Sequence, residues 1–99
     1  MPARDGIAEV EAQERVFRAL AHASRRHILI TLHARGDRVS AGDIARRFSC
    51  SWPTTTRHLR VLEEAGLVTA HREGRERFYQ LERETLERHL GGWLAHFEA

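Results

Sequence analysis

Hydroxyl and guanidinium side chains are concentrated in one short stretch, residues 50–68, whose sequence is CSWPTTTRHLRVLEEAGLV. Both groups donate hydrogen bonds to phosphate oxygens and base edges, and an arginine can bind O6 and N7 of one guanine together. The same stretch carries apolar residues at helical spacing. The pattern therefore predicts a helix that packs on one side and presents polar and basic groups to the major groove of DNA.

The start and the faces of this helix follow from its sequence. Ser51 is the expected N-cap, and a proline in the first turn costs nothing, because the N–H it lacks would have no helical partner. Helical spacing places Thr55, Leu59, Leu62 and Gly66 on the predicted buried side. The residues expected to face DNA are Ser51, Trp52, Pro53, Thr54, Thr56, Arg57 and Arg60.

Three of these residues have distinct expected roles. Arg57, beside Thr56, is placed to reach guanine or a phosphate, and Arg60, one turn later, to contact phosphate. Trp52 is unusual in an exposed first turn. Two interpretations of Trp52 are open: contact with a thymine methyl group or a sugar, and packing on the preceding helix.

Further arginines are expected at the edges of this surface. Arg75 and Arg77 flank the tip of a predicted hairpin, and a narrow minor groove attracts arginine, although Glu73 and Glu76 neutralise the same tip. Two more, Arg46 and Arg47, end a short predicted helix near the expected path of the phosphates.

Positive charge is concentrated in the middle third of the chain. The net charge is only +2, but residues 25–60 contain eight arginines against two aspartates, Asp37 and Asp43. The segments on either side are slightly acidic. This distribution predicts a surface for phosphates.

Three helices are predicted before the groove-facing helix. Residues 8–21 form an amphipathic helix, and a second helix follows Ser24 as N-cap and stops at Gly36. A short third helix begins at Ser40, where Asp43 has the spacing of a capping box.

Two strands and a last helix are predicted after it. Residues 67–81 read as a β-hairpin around Gly74, and residues of about 82–98 form an amphipathic helix. A chain of 99 residues buries only a modest core, so the apolar stripes of the first and last helices are predicted to meet a second copy. The expected dimer-interface residues are Val10, Phe17, Leu86, Leu90, Trp93, Leu94 and Phe97.

The predicted order, α-α-α-α-β-β-α, is that of a mainly α winged helix-turn-helix with a small β-hairpin, in a single domain over residues 1–99. The segments ALAHASRRHILITL, SAGDIARRF, SWPTTTRHLRVLEEAGLV and REGRERFYQL resemble the ArsR/SmtB family of bacterial transcriptional repressors over roughly residues 16–81. The resemblance implies a homodimer joined by its end helices, with the fourth helix in the major groove and the hairpin beside the backbone or minor groove. Two such helices related by a two-fold axis predict a near-palindromic operator.

The metal sites known in this family are not expected. The third-helix site needs thiolates where residues 39–42 read VSAG. The last-helix zinc site retains only His96, because Arg83, Thr85 and Ala99 stand where the other three ligands are needed. We therefore expect no metal and no cofactor.

Other interpretations remain open alongside this one. His89 and His96 lie two turns apart and could form a different interfacial metal site, and Cys50 could serve redox sensing. A winged helix that binds only protein would carry an acidic or apolar face instead of a basic one. The sequence itself defines no inducer, operator sequence or target gene.

The sequence also argues against several broad classes of protein. No nucleophile elbow, zincin, Walker or Rossmann signature indicates an enzyme. No apolar run approaches the roughly 20 residues of a membrane span, and the N-terminus lacks a signal-peptide apolar region. We expect a cytoplasmic, non-catalytic protein that does not bind membranes.

Overall fold

A computed structural model describes residues 4–36, 38–48 and 50–98. In chain order the elements are helices α1 (Arg4–Leu20) and α2 (Ala23–Arg35), strand β1 (Val39–Ser40), helices α3 (Ala41–Phe48) and α4 (Trp52–Glu64), strands β2 (Val68–Glu73) and β3 (Glu76–Leu81), and helix α5 (Arg83–Leu94), followed by a 3-10 turn (Ala95–Phe97). The predicted order is confirmed, with one added strand. Among the described residues, no helix has the length and apolarity needed to cross a bilayer.

The added strand makes the sheet three-stranded and antiparallel, in the order β1-β3-β2. Strands β2 and β3 form the predicted hairpin, and Gly74 takes a left-handed conformation at its turn, with φ of 60°. Val39 of β1 pairs with Tyr79 of β3. Two residues are too few to show a period-2 pattern, so β1 was not predictable. Strand β1 attaches the start of α3 to the hairpin by pairing with β3.

The core lies between the helices and one face of the sheet. The residues that form it come from all the larger elements except α5: Val16, Ala19, Ile28, Leu29, Leu32, Val39, Ile44, Leu59, Leu62, Leu67, Val68 and Tyr79. Leu59 and Leu62 anchor one side of α4 in this core, so its opposite side is left for solvent.

Several predicted helix ends differ from those observed. Helix α1 begins at Arg4 instead of residue 8, and the last helix finishes in a 3-10 turn. Ser24 is not the N-cap of α2: it lies inside the helix, and the Nδ1 atom of His22 accepts the Ser24 N–H at 3.3 Å. The predicted stop at Gly36 is confirmed, with φ of 74°. Gly66 was wrongly placed on the buried side of α4, because it is exposed in the turn after the helix.

Candidate nucleic-acid interface

The start of α4 is fixed by its cap. The Ser51 hydroxyl accepts the backbone N–H of Thr54 at 3.3 Å, and it also donates to Oγ1 of Thr54 at 2.9 Å. The Thr55 hydroxyl donates to the Ser51 carbonyl at 3.1 Å, and Pro53 lies in the first turn. The predicted N-cap is therefore confirmed, and the first turn of α4 is held by side-chain as well as backbone bonds.

The two faces of α4 separate largely as the spacing predicts. Thr55, Leu59 and Leu62 are buried. Exposed on the other side are Trp52, Thr56, Arg57 and Arg60. The Thr56 hydroxyl donates to the Trp52 carbonyl at 3.0 Å, which leaves its oxygen able to accept a bond from outside.

Three of the predicted DNA-binding arginines have uncommitted guanidinium groups. Within residues 4–36, 38–48 and 50–98, Arg57, Arg60 and Arg75 make no ion pair or side-chain hydrogen bond, and all three are exposed. An arginine without a protein partner gives up no existing bond when it binds a phosphate or a base. These three are the side chains best prepared for nucleic acid.

Arg46 and Arg47 form ion pairs within the protein. Both lie on α3 and pair with Asp43 of the same helix, at 3.6 and 3.4 Å, and Asp43 also receives Arg35 at 3.3 Å. One carboxylate thus partly neutralises three guanidinium groups. This pairing weakens the field that Arg46 and Arg47 offer to a phosphate.

Arg77 links the hairpin to α4, the predicted recognition helix. Its guanidinium group pairs with Glu63 at the end of α4, at 3.3 Å, and lies 6.0 Å from the ring centroid of Tyr79. Glu73, which lies opposite Glu76 in the hairpin, pairs with Arg38. The two hairpin arginines predicted to bind DNA therefore differ: Arg75 has no ion pair among the described residues, and Arg77 connects β3 to α4.

Trp52 lies where the recognition helix meets the hairpin. Its side chain is 57% exposed. It lines a shallow depression together with Ser40, Ala41 and Gly42 at the start of α3 and Arg75, Glu76 and Arg77 of the hairpin. Both sequence interpretations of Trp52 thus keep support, since the indole borders α3 and still presents most of its surface to solvent.

A buried histidine lies directly behind this surface and was not predicted from the sequence. His58 is 6% exposed on the packed side of α4, and Nη1 of Arg25 lies 3.3 Å from its Nδ1 atom. The ring of His22 is 4.5 Å away between centroids. Burial lowers the pKa of His58 from its ordinary value, and the charges of His22, Arg25 and Arg57 lower it further. Helical spacing could have indicated its burial, since position 58 falls on the same side of α4 as Thr55 and Leu62.

Two other arginines from the middle third of the chain cap the C-terminal end of α1. Arg25 donates from Nε to the Ala19 carbonyl at 2.7 Å and from Nη2 to the Arg18 carbonyl at 3.0 Å, and Arg26 donates to the Leu20 carbonyl at 2.7 Å. The last carbonyls of a helix have no partner within it, and these guanidinium groups supply one. Arg25 and Arg26 are therefore structural.

The predicted dimer-interface residues do not share one environment. Leu86 is half-buried on the core and Leu90 is half-buried, whereas Val10, Trp93, Leu94 and Phe97 are exposed. The rings of Phe17 and Trp93 pack edge to face with 5.6 Å between their centroids, and those of Trp93 and Phe97 do so at 5.0 Å. Ile7, which was not predicted, is a further exposed apolar residue of α1. Helices α1 and α5 thus carry an apolar face at the surface.

His89 of α5 and His96 of the 3-10 turn that follows it have different surroundings. His89 is buried, with Nη2 of Arg88 at 3.2 Å from its Nε2 atom, whereas His96 is exposed. Arg83 pairs with Glu87, and Ala99 lies outside the described residues. In the part of the chain that the structure describes, no three His, Cys, Asp or Glu side chains are grouped to hold a metal ion. Cys50 is a half-buried thiol.

Known proteins resemble the chain in both sequence and fold. Residues 20–71 match a family model described as a helix-turn-helix domain. The chain is 35% identical over 82 residues to the transcriptional repressor SdpR of Bacillus subtilis (strain 168), which covers 83% of this chain and 88% of that protein. A crystal structure of an ArsR family transcriptional regulator has a TM-score of 0.78 at 31% identity, covering 87% of this chain and 86% of that one.

A second solved structure shares the fold at lower identity. It is the solution structure of a homodimeric winged helix-turn-helix DNA-binding domain from Mycobacterium bovis, with a TM-score of 0.77 and 24% identity, covering 98% of this chain and 89% of that one. The order of elements, the capped helix α4 and the hairpin agree with these likenesses. The chain belongs to the ArsR family of winged helix-turn-helix transcriptional regulators.

Proposed function

We propose that the protein is a homodimeric repressor that occupies a near-palindromic operator, with α4 in the major groove and the β2–β3 hairpin beside the backbone or minor groove. The observation that carries the proposal is the exposed face of α4. Arg57 and Arg60 project from this face and have no ion-pair partner among the described residues. The N-terminus of the same helix is fixed by the Ser51 cap. A rigid helix with uncommitted donors is suited to base edges and phosphates.

The individual contacts follow from this placement. Arg57 and Thr56 are proposed to reach base edges, and Arg60 and Arg75 to bind phosphate or a narrow groove. Trp52 borders the same surface and is proposed to contact a sugar or a thymine methyl group. Ser51, Pro53 and Thr54 bring the start of the helix close to the backbone. Arg46, Arg47 and Arg77 contribute less, because each is already paired with a carboxylate.

Dimerisation is proposed from the apolar face of α1 and α5. Val10, Leu94 and Phe97 are each more than half exposed, and the ring of Trp93 packs at a steep angle on both Phe17 and Phe97. Contiguous exposed apolar surface marks an interaction site, and a second copy of this chain would cover it symmetrically. The proposed action is occupation of DNA in the cytoplasm, with no catalytic step and no resident metal.

Two binding measurements test this function. The protein should shift a duplex selected by it from a randomised pool, and the shift should weaken steeply with salt, by a log–log slope of about −0.9 for each phosphate neutralised. Footprinting should protect two half-sites about 34 to 36 Å apart, or a multiple of that spacing. Protection of a single half-site would contradict the near-palindromic operator, whereas a salt-independent association would favour a protein-interaction module.

A further inference from the structure

We propose that His58 is a positioning residue of the recognition helix: its neutral imidazole accepts a hydrogen bond from Arg25 and seats α4 against the junction of α1 and α2, and its protonation weakens DNA binding. This inference rests on the proposed use of α4 for DNA. His58 itself is 6% exposed, so it acts through the placement of its neighbour Arg57 and not by touching DNA.

The tautomer of His58 follows from its partner. A guanidinium group has only N–H donors, so Nδ1 of His58 must accept from Nη1 of Arg25 at 3.3 Å, and the ring proton lies on Nε2. Arg25 is itself held by the carbonyls of Ala19 and Arg18 at the end of α1. The contact therefore joins three elements: the end of α1, the start of α2 and the middle of α4.

The charges that face this imidazole all oppose a second proton. His22 packs on it from the turn between α1 and α2, Arg25 from α2, and Arg57 precedes it on α4. Among the residues that the structure describes, no carboxylate contacts the ring. Proton uptake would replace the bond from Arg25 with repulsion between the guanidinium group and a charged, buried imidazole.

The direction of the pH effect follows from this arrangement. Burial and these charges lower the pKa of His58 in the folded protein, so the contribution of the contact is present above the ordinary value of 6.5 and is lost as the pH falls through the lowered value. An exposed histidine near DNA has the opposite effect, because its protonation adds a positive charge beside phosphates. The sign of the pH dependence therefore distinguishes a positioning role from simple charge attraction.

The experiment compares wild type with His58→Gln and His33→Gln on one duplex that the wild-type protein has selected from a randomised pool. A glutamine keeps a carbonyl acceptor for Arg25 but does not titrate. From about pH 8 to about pH 5, wild-type affinity should fall by up to about tenfold per pH unit below the pKa of His58. His58→Gln should bind as wild type at high pH without this loss, and His33→Gln, altered at an exposed α2 position, should follow wild type.

A second measurement uses the wild-type protein alone and does not depend on the variant folding. Imidazole NMR should show the proton of neutral His58 on Nε2 and a titration midpoint below 6.5 that coincides with the loss of affinity. A proton on Nδ1, or wild-type affinity that is unchanged or rises as the pH falls, would overturn the inference while leaving DNA binding in place. No wild-type binding even at about pH 8 would contradict the proposed function itself.

Discussion

Helices α4 and α5 are of similar length, but their surfaces differ. Helix α4 has a serine cap, a buried side formed by Thr55, His58, Leu59 and Leu62, and an exposed side that is polar and basic. The side chain of Glu82, the N-cap of α5, makes no capping bond, and α5 has only one fully buried residue, His89. The apolar residues Trp93 and Leu94 of α5, and Phe97 of the 3-10 turn that follows it, are at the surface instead.

The difference shows what each helix lacks in the protomer. The exposed side of α4 is stable in water and offers donors, so its natural complement is charged or polar. Contact of the apolar surface of α5 with water is unfavourable, by about 25 cal/mol for each Å². Its natural complement is therefore apolar. One helix is therefore suited to DNA and the other to a second protein chain.

The largest effect is expected when a charged residue is introduced on the apolar face of α5. Leu94 is 58% exposed, so Leu94→Glu should leave the protomer folded but bury a carboxylate in the dimer. Because a two-fold axis places the change in both subunits, dimerisation should weaken by at least about 4 kcal/mol. Light scattering should then report a monomer at micromolar concentration, and operator binding should fall with it.

Ile30→Glu is the matched control, because Ile30 is 63% exposed on α2, and the depression that it lines reaches α5 only at its start, at Arg83 and Leu86. This variant should remain a dimer. If both variants dimerise normally, the apolar face of α5 is not the interface, and the contrast between the helices fails on the α5 side.

Arg57→Ala tests the α4 side of the contrast. Arg57 has no ion pair among the described residues, so its loss should cost about 1 to 3 kcal/mol on the selected duplex and should relax base preference at one position per half-site. Arg47→Ala is the control, because its guanidinium group is already paired with Asp43 at 3.4 Å. Equal losses from the two variants, measured by fluorescence anisotropy, would mean that ion pairing within the protein does not separate binding arginines from structural ones.

The sequence predicted local features of the fold well. The helices, the hairpin, the Ser51 cap and the division of α4 into two faces depend on neighbours within a few residues, and they appear as spacing and residue type. Strand β1 is too short for any period, and the cap of α2 is supplied by His22, an uncommon capping residue, so both were missed.

The sequence predicted which residues belong to the candidate site, but not which of their charges are already paired within the protein. Sequence shows eight arginines in residues 25–60, but it does not show that Arg25 and Arg26 close α1 or that Asp43 pairs with its neighbours. Arg77 pairs with Glu63, fourteen positions away in the chain. Contacts of this kind depend on tertiary packing, so composition overstates the charge that is available to DNA.

Ser51→Ala measures how much the cap contributes to the order of α4. Loss of the bond from the Thr54 N–H should lower the free energy of unfolding by about 0.5 to 2 kcal/mol. Ser24→Ala is the control: the residue predicted to cap α2 lies inside the helix, and its change should stay within about 0.5 kcal/mol of wild type. Urea unfolding of the two variants decides the point, and an equal cost would show that the Ser51 hydroxyl does not stabilise α4.

The smallest expected effect belongs to the hairpin tip. Arg75 is exposed and makes no ion pair among the described residues, but it stands on a turn beside Glu73 and Glu76, so its contact is to phosphate or groove shape and not to a base. Arg75→Ala should weaken selected and random duplexes alike, by less than about 1 kcal/mol, and should reduce the salt slope by about one unit for each lost contact.

Arg83→Ala removes the same charge from α5, where Arg83 pairs with Glu87 at 2.7 Å, and it should leave the slope unchanged. If Arg75→Ala alters sequence preference while Arg57→Ala weakens all DNA equally, the roles are reversed. Bases would then be read from the hairpin, and α4 would serve mainly to hold the backbone.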